Sequence, residues 1–526
     1  MARNQIRLAT SEDFTGGLNF RADPFQIEKN ESPDLMNVDV DPRGGVAMRR
    51  TFQQLNTTVL PGNAASNLFP YSTSGGTNQI LAKAGDGTVR FSTGGNFSLA
   101  LSGHAAGYEA AVTFKDLLYT QDGVNVPLRW NGSTQAAMGQ AYNDNFAAPS
   151  GSNMPIGKYM ASHQGMVFVA NLTNDPIPNP PGGGSYKNRI RWSHPNNPEN
   201  WRTLDWIDID IGREGDEITG LLPFGDRLLI FKRNSVHALY GYSRETFSVQ
   251  PVTQVVGAVG PRAIVGTEHG VYFFSWPQGV FRYDGRSVEW IFERIYPGLL
   301  DGNVSATAAV GTALGWGNRR LWVSVPWGTA TNSRTFIYDP TLGKRGSWVQ
   351  YDQGFSSFLD WRPPGQSNVF LGSHPTLGWV LKLDQIGSQD NMTGTPVDIS
   401  SYYVTAWHDL GEHALLKRWK RPEIVVLSDV SSKIRGEVFH DYDPATIHNT
   451  FELETVLETS TDVWGTGVWG VARWGRSSSG HNRVAKGGSL GLARSVQIKF
   501  TGPSNPSRRW RLNSMALKYV PRRIRS

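Results

Sequence analysis

Short apolar segments separated by polar turns recur along the chain from about residue 61 to residue 390. Each unit contains an apolar strand, a turn, and an alternating strand that ends in an aromatic residue or leucine before another polar turn. One such unit contains the apolar run 228–231 and the alternating strand 236–240. The recurrent strand ends lie at residues 89–92, 128–132, 190–193, 238–241, 281–285, 336–340 and 381–384.

The spacing of these strand ends predicts an all-β fold built around a central β-propeller. Successive ends are separated by 39 to 62 residues, and the longest interval contains a proline- and glycine-rich insertion at 175–184. Repeats of about 40–50 residues with several short strands are typical of propeller blades. A parallel solenoid fits less well because these repeats are long and their strands are joined by hairpin-type turns. We expect six to eight blades within residues 61–390.

The two ends of the chain are predicted to form an N-terminal arm and a C-terminal antiparallel β-sandwich. Residues 1–60 contain too little apolar sequence for a core of their own, so we expect this arm to pack on the C-terminal region or on a neighbouring subunit. Strand patterns at 402–407, 423–427, 434–439, 495–500 and 510–519 predict the sandwich, over residues 391–526.

The composition is that of a folded protein and narrows its chemistry. Of 526 residues, 39% are hydrophobic and 18 are tryptophan, which argues against disorder. The chain has no cysteine, so disulfide scaffolds, thiol catalysis and cysteine-bound metals are excluded. No signal-peptide core and no run of 18 apolar residues is present, so we expect a soluble protein made in the cytoplasm and not inserted in a membrane.

Candidate catalytic residues are scattered along the sequence. The densest acidic cluster comprises Asp205, Asp208, Asp210, Glu214, Asp216 and Glu217. Isoleucines alternate with these acids at 207, 209 and 211, which favours a strand with its acids on the solvent face. No metal-binding histidine spacing, nucleophile elbow, phosphate-binding loop or dinucleotide fingerprint occurs. Trp464, Trp469 and Trp474 indicate a sandwich core more than a stacking platform. We predict no catalytic residue, no metal and no cofactor.

Positive charge is concentrated near the C-terminal end. The net charge of the chain is +6, yet the residues after Asp462 include 13 lysines and arginines and no acid. Such one-signed segments imply an acidic partner: a neighbouring subunit, nucleic acid or an anionic surface. The candidate interface residues are Arg508, Arg509, Arg511, Arg522, Arg523 and Arg525.

Several motifs resemble those of bacteriophage tail structural proteins. In the first 50 residues these are Gly16-Gly17-Leu18-Asn19, Glu31-Ser32-Pro33-Asp34, Asn37-Val38-Asp39 and Arg43-Gly44-Gly45. Further similar segments lie at 189–193, 198–201, 218–221, 231–233, 279–285 and 510–514. Together they span nearly the whole chain and resemble the tail nozzle, or tubular tail protein, family of short-tailed phages.

The resemblance implies a structural function in the virion tail, without enzymatic activity. It implies a homohexameric ring, assembled from subunits made in the host cytoplasm, that contacts the tail adaptor near the portal and tail fibres at its side. Double-stranded DNA would pass through the lumen. One alternative is a propeller lectin or glycosidase acting on surface polysaccharide, which requires a matched carboxylate pair in a tryptophan-lined cleft. A second alternative is a propeller scaffold for protein–protein contacts.

The six candidate arginines have two possible partners, DNA phosphates in a channel or acidic protein surfaces. Many phosphate contacts multiplied around a ring would hold the DNA strongly, whereas ejection requires it to slide. Arginine is also the preferred residue for planar, bidentate pairs with carboxylates at interfaces. We therefore expect most of these arginines to contact protein.

Charge reversal of Arg522 and Arg523 to glutamate is expected to block attachment to the adaptor while leaving the subunit folded, because it removes two cations from the predicted interface. Particle composition and circular dichroism of the purified subunit measure the two effects. Complete particles that fail only in genome retention or ejection would instead indicate that these arginines face the lumen.

Overall fold

The computed structural model confirms the all-β class. It describes residues 6–11, 13–21, 23, 27–144, 152–175, 184–210, 212, 215–343, 345–363, 365, 367–427, 432–455, 482–503 and 509–522. Strands account for 52% of these described residues and helices for 4%. The helical turns in this part of the chain are Pro61–Asn63, Pro261–Ala263, Tyr296–Gly298, Leu299–Asn303 and Ala308–Gly311.

Most strands belong to antiparallel sheets that follow one another along the chain, and we number these sheets in chain order. Each is a meander in which consecutive strands pair. Sheet 1 contains Ala65–Ser72, Asn78–Ala84, Val89–Ser92 and Ser98–Leu101. Sheet 2 contains Ala110–Phe114, Leu117–Gln121, Leu128–Trp130 and Gln135–Ala137. Sheet 3 contains Ile156–His163, Met166–Asp175, Gly184–His194 and Asn197–Asp208.

The remaining sheets of this series repeat the same pattern. Sheet 4 contains Ile218–Phe224, Arg227–Lys232, Val236–Tyr240 and Ser248–Thr253. Sheet 5 contains Ile264–Thr267, Gly270–Ser275, Gly279–Tyr283 and Val288–Trp290. Sheet 6 contains Ala313–Gly317, Arg320–Val325, Arg334–Asp339 and Ser347–Tyr351. Sheet 7 contains Ser357–Trp361, Val369–Ser373, Val380–Gln385 and, as its fourth strand, Thr51–Gln54 from the predicted N-terminal arm.

These sheets are arranged as a β-propeller. The first strand of each sheet lies beside the first strand of the next, and the first strand of sheet 7 lies beside that of sheet 1. The first strands therefore surround a common axis, with the fourth strands outermost. Each of the recurrent sequence segments falls on the third strand of a different sheet, which explains their regular spacing.

The C-terminal region forms two larger sheets that include N-terminal strands. The large C-terminal sheet contains Arg7–Ser11, Val38–Val40, Val46–Met48, Lys417–Trp419, Glu423–Leu427, Asn482–Lys486, Gly491–Ala493 and Arg511–Pro521. The small C-terminal sheet contains Leu35–Met36, Tyr402–Val404, Ser432–His440, Asn449–Thr455 and Val496–Thr501. A separate two-stranded ladder joins Gln389–Asp390 to Val397–Asp398.

The N-terminal segment also extends sheet 6. Gly17–Leu18 pairs in parallel with Trp348 at the outer edge of that sheet, and Glu31–Ser32 pairs in turn with Gly17–Leu18. Gly17 has a φ of 68°, and a Cβ atom there would lie 2.5 Å from the carbonyl oxygen of Trp348. This close approach requires glycine. One continuous segment therefore contributes strands to the propeller and to both C-terminal sheets.

A continuous apolar cluster joins the propeller to the C-terminal sheets. It runs from Tyr272 and Trp322 in sheets 5 and 6, through Leu18 and Val38 of the N-terminal segment, to Leu512 of the large C-terminal sheet. Burial of apolar surface is the main favourable term in folding, so the N-terminal segment is an integral part of this core.

A buried ion pair lies at the point where the N-terminal segment enters sheet 7. Arg49 donates from Nη1 to Asp390 Oδ1 at 2.9 Å, and its Nη2 pairs with the second oxygen. The Arg49 side chain is only 2% exposed, and its Nε donates to Asn37 Oδ1 at 3.0 Å. Asp390 also accepts the backbone N–H of Phe52 at 2.8 Å. Burial alone would lower the pKa of Arg49, but Asp390 outweighs it and raises that pKa.

Replacement of Asp390 by asparagine is expected to lower the free energy of unfolding by about 3–5 kcal/mol, because it leaves the buried charge of Arg49 without a counter-ion. Urea denaturation followed by tryptophan fluorescence measures the change. The matched control is Arg345→Gln, which breaks the exposed pair with Glu293. We expect that variant to lose at most about 1 kcal/mol. Equal stability of Asp390→Asn and the wild type would contradict the role of this pair.

Candidate functional site

A charged cleft lies where the propeller meets the large C-terminal sheet. It has a volume of about 750 Å³ and lies between sheets 6 and 7 and the N-terminal hairpin of Val38–Val40 and Val46–Met48. Its ionisable lining consists of Asp39, Asp41, Asp339, Asp384, Arg50, Arg319, Arg320, Arg509 and Arg511. The cleft is thus built from acids and arginines contributed by distant parts of the sequence.

An ion-pair network centred on Arg320 crosses this cleft. Arg320 Nη1 donates to Asp39 Oδ1 at 2.7 Å, and its Nη2 lies 3.2 Å from Asp384 Oδ2. The hydroxyl of Tyr351 also donates to Asp39, and Asn318 Nδ2 donates to Asp384 Oδ2 at 2.6 Å. Because Asp39 lies on the N-terminal hairpin and Arg320 on sheet 6, the network fastens the hairpin to the propeller.

The network keeps its central carboxylate ionised. Burial alone would raise the pKa of Asp39, but the charge of Arg320 and hydrogen bonds from Tyr351 and Arg320 outweigh it and hold that pKa below its ordinary value. Burial alone would lower the pKa of Arg320, but Asp39 and its neighbours outweigh burial and raise that pKa well above its ordinary value. Both groups stay charged at neutral pH. This geometry suits a fixed joint better than proton transfer.

Two of the six predicted interface arginines lie in the cleft. Arg511 places Nη2 at 3.1 Å from Asp41 Oδ2 and donates from Nε to Asn513 Oδ1 at 2.8 Å. Arg509 donates from Nη2 to the carbonyl oxygen of Met48 at 2.8 Å, and burial lowers its pKa. The structure therefore gives both arginines partners on the N-terminal hairpin or the adjacent strand of the same chain.

The other four predicted arginines are placed differently. Arg522 is exposed, just after the strand Arg511–Pro521, and its backbone N–H donates to the carbonyl oxygen of Leu416 at 2.9 Å. Arg508, Arg523 and Arg525 lie outside the described residues. Contact of these six arginines with another protein stays a prediction.

The described acids near 205–217 are placed separately: Asp205 is buried, and burial raises its pKa, whereas Asp208 and Glu217 pair with arginines. Asp208 accepts hydrogen bonds from Arg189 at 2.8 and 3.0 Å, and Glu217 accepts one from Arg233 at 3.0 Å. Glu214 lies outside the described residues, as do the three tryptophans at 464, 469 and 474. Within the ranges that the structure describes, no three histidine, aspartate or glutamate side chains are grouped closely enough to hold a metal ion.

The axis of the propeller is crossed by the side chain of Arg262. This residue precedes the first strand of sheet 5, and its Nη1 donates to the carbonyl oxygens of Ser66 at 2.8 Å and Ser356 at 3.2 Å. These acceptors lie at the first strands of sheets 1 and 7, on the far side of the ring. Burial lowers the pKa of Arg262. The guanidinium therefore bridges the ring and narrows its axial space.

The sequence pointed to part of this site. The C-terminal excess of charge led to Arg509 and Arg511, but it did not indicate Arg320 or Arg262. In the sequence, Asp39 stands out only as part of the motif Asn37-Val38-Asp39. That motif was the one available signal for the network, because the partners of Asp39 are more than 200 residues away in the chain.

Comparison with known proteins finds a weak likeness to solved structures. No protein-family model matches the chain, and no curated protein matches it. BBS1N in complex with ARL6DN has a TM-score of 0.40 at 11% identity, covering 64% of this chain and 95% of that chain. YCF48 bound to D1 peptide has a TM-score of 0.38 at 9% identity, covering 66% and 96%. BamB from Moraxella catarrhalis has a TM-score of 0.36 at 8% identity, covering 66% and 92%. The fold assignment follows from the sheet topology.

The described helices were also compared with the length and hydropathy that a bilayer requires. All of them are too short or too polar to cross a membrane.

Replacement of Asp39 by asparagine is expected to destabilise the protein at neutral pH, and the stability difference from the wild type should shrink as the pH falls below about 4. The folded-state pKa of Asp39 is lowered, so its contribution is fully present above the unfolded pKa and is lost as the pH falls toward the folded value. Thermal melting of both proteins between pH 7 and pH 3 measures the difference. A difference that stays constant down to pH 3 would contradict this assignment.

Proposed function

We propose that this protein is a structural subunit of a bacteriophage tail, of the nozzle type found in short-tailed phages. In this proposal the subunits form a homohexameric ring in the virion tail through which double-stranded DNA leaves. The observation that carries the proposal is that the residues of the N-terminal resemblance are also the joints of the fold. The resemblance therefore concerns residues that fix the architecture of the molecule, and not a variable surface loop.

Three of these joints illustrate the point. Glu31 Oε1 lies 3.0 Å from Arg294 Nη2, in the segment that leads into sheet 6. Ser32 Oγ donates to the carbonyl oxygen of Val404 at 2.6 Å, in the small C-terminal sheet. Asn37 donates to the carbonyl oxygen of Ser400 at 2.7 Å. Together with the Asp39–Arg320 pair, they hold the propeller and the C-terminal sheets in one fixed arrangement, as a load-carrying tail part requires.

The finer architecture belongs to the same proposal. We take each of sheets 1 to 7 as one blade, which gives seven blades, because their first strands follow one another around the axis and return to the start. We take the two C-terminal sheets as the layers of a sandwich, because residues such as Trp419 and Val438, from the large and the small sheet, belong to the same apolar cluster.

The position of a DNA channel follows from the axis of the propeller. Arg262 bridges the first strands of sheets 1, 5 and 7 across that axis. A DNA duplex cannot pass through a ring that is crossed by the half-buried side chain of Arg262. In the proposed assembly the lumen therefore lies between subunits, and the propeller axis is a rigid hub within each subunit.

The partners proposed for this ring are the tail adaptor near the portal and tail fibres at its side. Arg522 is the described member of the six candidate arginines whose side chain is most available to such partners, because it is exposed. Arg509 and Arg511 are engaged with the N-terminal hairpin and the neighbouring Asn513. We therefore assign adaptor contact to the end of the strand Arg511–Pro521 and an internal structural role to the cleft.

A polysaccharide-degrading or polysaccharide-binding propeller is the competing function. Its catalysis would need one free carboxyl group as acid and a second carboxylate nearby. Two of the acids that the sequence pointed to are engaged instead: Asp208 with Arg189, and Glu217 with Arg233. This pairing favours the structural function over the enzymatic one.

Electron microscopy of the purified full-length protein and of virions tests the proposal. We expect six subunits in a closed ring with a lumen separate from the propeller axes, and the same ring at the end of the virion tail. Virions assembled without the protein should lack this part of the tail and lose their genome.

The competing function predicts a different set of results. It predicts release of reducing ends from capsular polysaccharide and no ring of this protein either in solution or in the virion tail, and these results together would contradict the nozzle. Asp208→Asn is the matched variant for that assay, because loss of turnover in it would show that the carboxylate is catalytic. In the nozzle proposal neither the wild type nor this variant shows turnover.

A further inference from the structure

One end of the propeller exposes several aliphatic side chains. In each meander, strand 4 ends at the same end of the sheet at which strand 3 begins. The described residues of the turn between strands 2 and 3 and of the link to the next sheet therefore share one end, which we call the loop face. Six aliphatic residues that are more than two-fifths exposed lie in these segments: Val124, Val126, Val255, Leu300, Val310 and Leu377. The most exposed are Val255 at 83% and Val124 at 70%. Apolar side chains collected on one face are typical of an interaction surface.

The loop face also carries negative charge. Asp86 and Asp301 are exposed in the same set of segments. Lys187 and Arg233, two exposed cations at this end of the sheets, are both paired with Glu217. The loop face therefore offers aliphatic groups and carboxylates to a partner. A complementary partner surface would carry aliphatic side chains and basic groups.

The outer face of the large C-terminal sheet has this complementary chemistry. Arg418 points outward between the buried Lys417 and Trp419, and it is paired across the sheet with Leu492 on one side and Val520 on the other. Leu492 is 43% exposed. Arg418, Leu492 and Val520 thus form a row across three adjacent strands, and we call the outer surface around this row the sheet face.

Further groups strengthen the positive character of the sheet face. Ile6 is exposed just before the strand Arg7–Ser11, which lies next to the strand of Val520, and Arg494 is exposed just after Gly491–Ala493. Two acids near the row are already engaged: Glu412 pairs with Arg7, and Glu423 pairs with Lys518. The sheet face therefore combines exposed aliphatic side chains with available guanidinium groups.

We infer that the loop face of one copy of this chain binds the sheet face of a second copy. Both surfaces are exposed within a single chain, so neither covers the other in the same molecule. The two are chemically complementary and different from each other, so the contact is heterologous, and repetition of a heterologous contact closes into a ring when the rotation allows. This inference rests on the proposed ring and names the two surfaces that would join its subunits.

Two variants of the full-length chain test the contact. Val255→Lys with Leu300→Lys changes the loop face, and Arg418→Glu with Leu492→Asp changes the sheet face. Each is expected to raise the dissociation constant between subunits about tenfold or more, because it places charge in a desolvated contact or reverses a complementary charge. The matched control is Tyr242→Asp, since Tyr242 is 70% exposed in a turn at the opposite end of sheet 4. Analytical ultracentrifugation measures the assembly state, and circular dichroism checks the fold.

Mixing the two variants gives the sharpest result. Each variant keeps one intact surface, so a mixture should form dimers of one loop-face variant and one sheet-face variant, whereas each variant alone stays monomeric. A self-complementary contact between like surfaces would not give this pattern. Rings that persist in either variant would overturn the assignment of these surfaces while leaving the nozzle proposal in place. A wild type that is monomeric alone but ring-shaped in virions would also overturn it, because the contact would then need another protein. Absence of rings both from the purified wild type and from virions would refute the nozzle proposal itself.

Discussion

The buried pair between Arg49 and Asp390 is the constraint on which the rest of the molecule depends. Arg49 lies two residues before the strand Thr51–Gln54, which completes sheet 7 and so closes the propeller. Its guanidinium is also bonded to Asn37, whose side chain reaches the carbonyl oxygen of Ser400 beyond the propeller. Closure of the ring and attachment of the C-terminal sheets are therefore fixed by the same few atoms. Loss of this pair would therefore weaken both.

Buried charges are used elsewhere for the same purpose. Lys83 of sheet 1 pairs with Glu109 at 2.7 Å, and Glu109 also bonds to His104 at 2.6 Å, at the start of sheet 2. Burial alone would lower the pKa of His104, but the hydrogen bond and the charge of Glu109 outweigh burial and raise that pKa. Desolvation of a buried charge is unfavourable, so these pairs add little net stability. They act instead by fixing the geometry, because each cation has one arrangement of acceptors that compensates its buried charge. In a ring of similar sheets, these pairs distinguish one neighbour from another.

The sequence predicted what repeats locally and missed what joins distant parts. Each recurrent segment falls on a third strand, because alternation and turn residues are local properties. The closing strand Thr51–Gln54 was assigned to the N-terminal arm, since its partner Val380–Gln385 lies at the other end of the propeller and no local pattern indicates it. The charged cleft was missed for the same reason. Composition identified Arg509 and Arg511 as important, but their partners became visible only in three dimensions.

The same distinction changes the meaning of the C-terminal charge. Counted along the sequence, the arginines after Asp462 look like one basic surface for one acidic partner. In the fold, Arg509 and Arg511 turn toward the N-terminal hairpin. Arg418 and Arg494, whose positions in the sequence are not adjacent, lie around the outer row of the large C-terminal sheet. The electrostatic surface available to a partner is therefore set by strand pairing, which brings Arg418, Leu492 and Val520 side by side and turns their side chains away from the core. A ring that uses this surface would keep its basic groups at subunit contacts and leave the lumen free of strong phosphate clamps, which is the condition for DNA to slide.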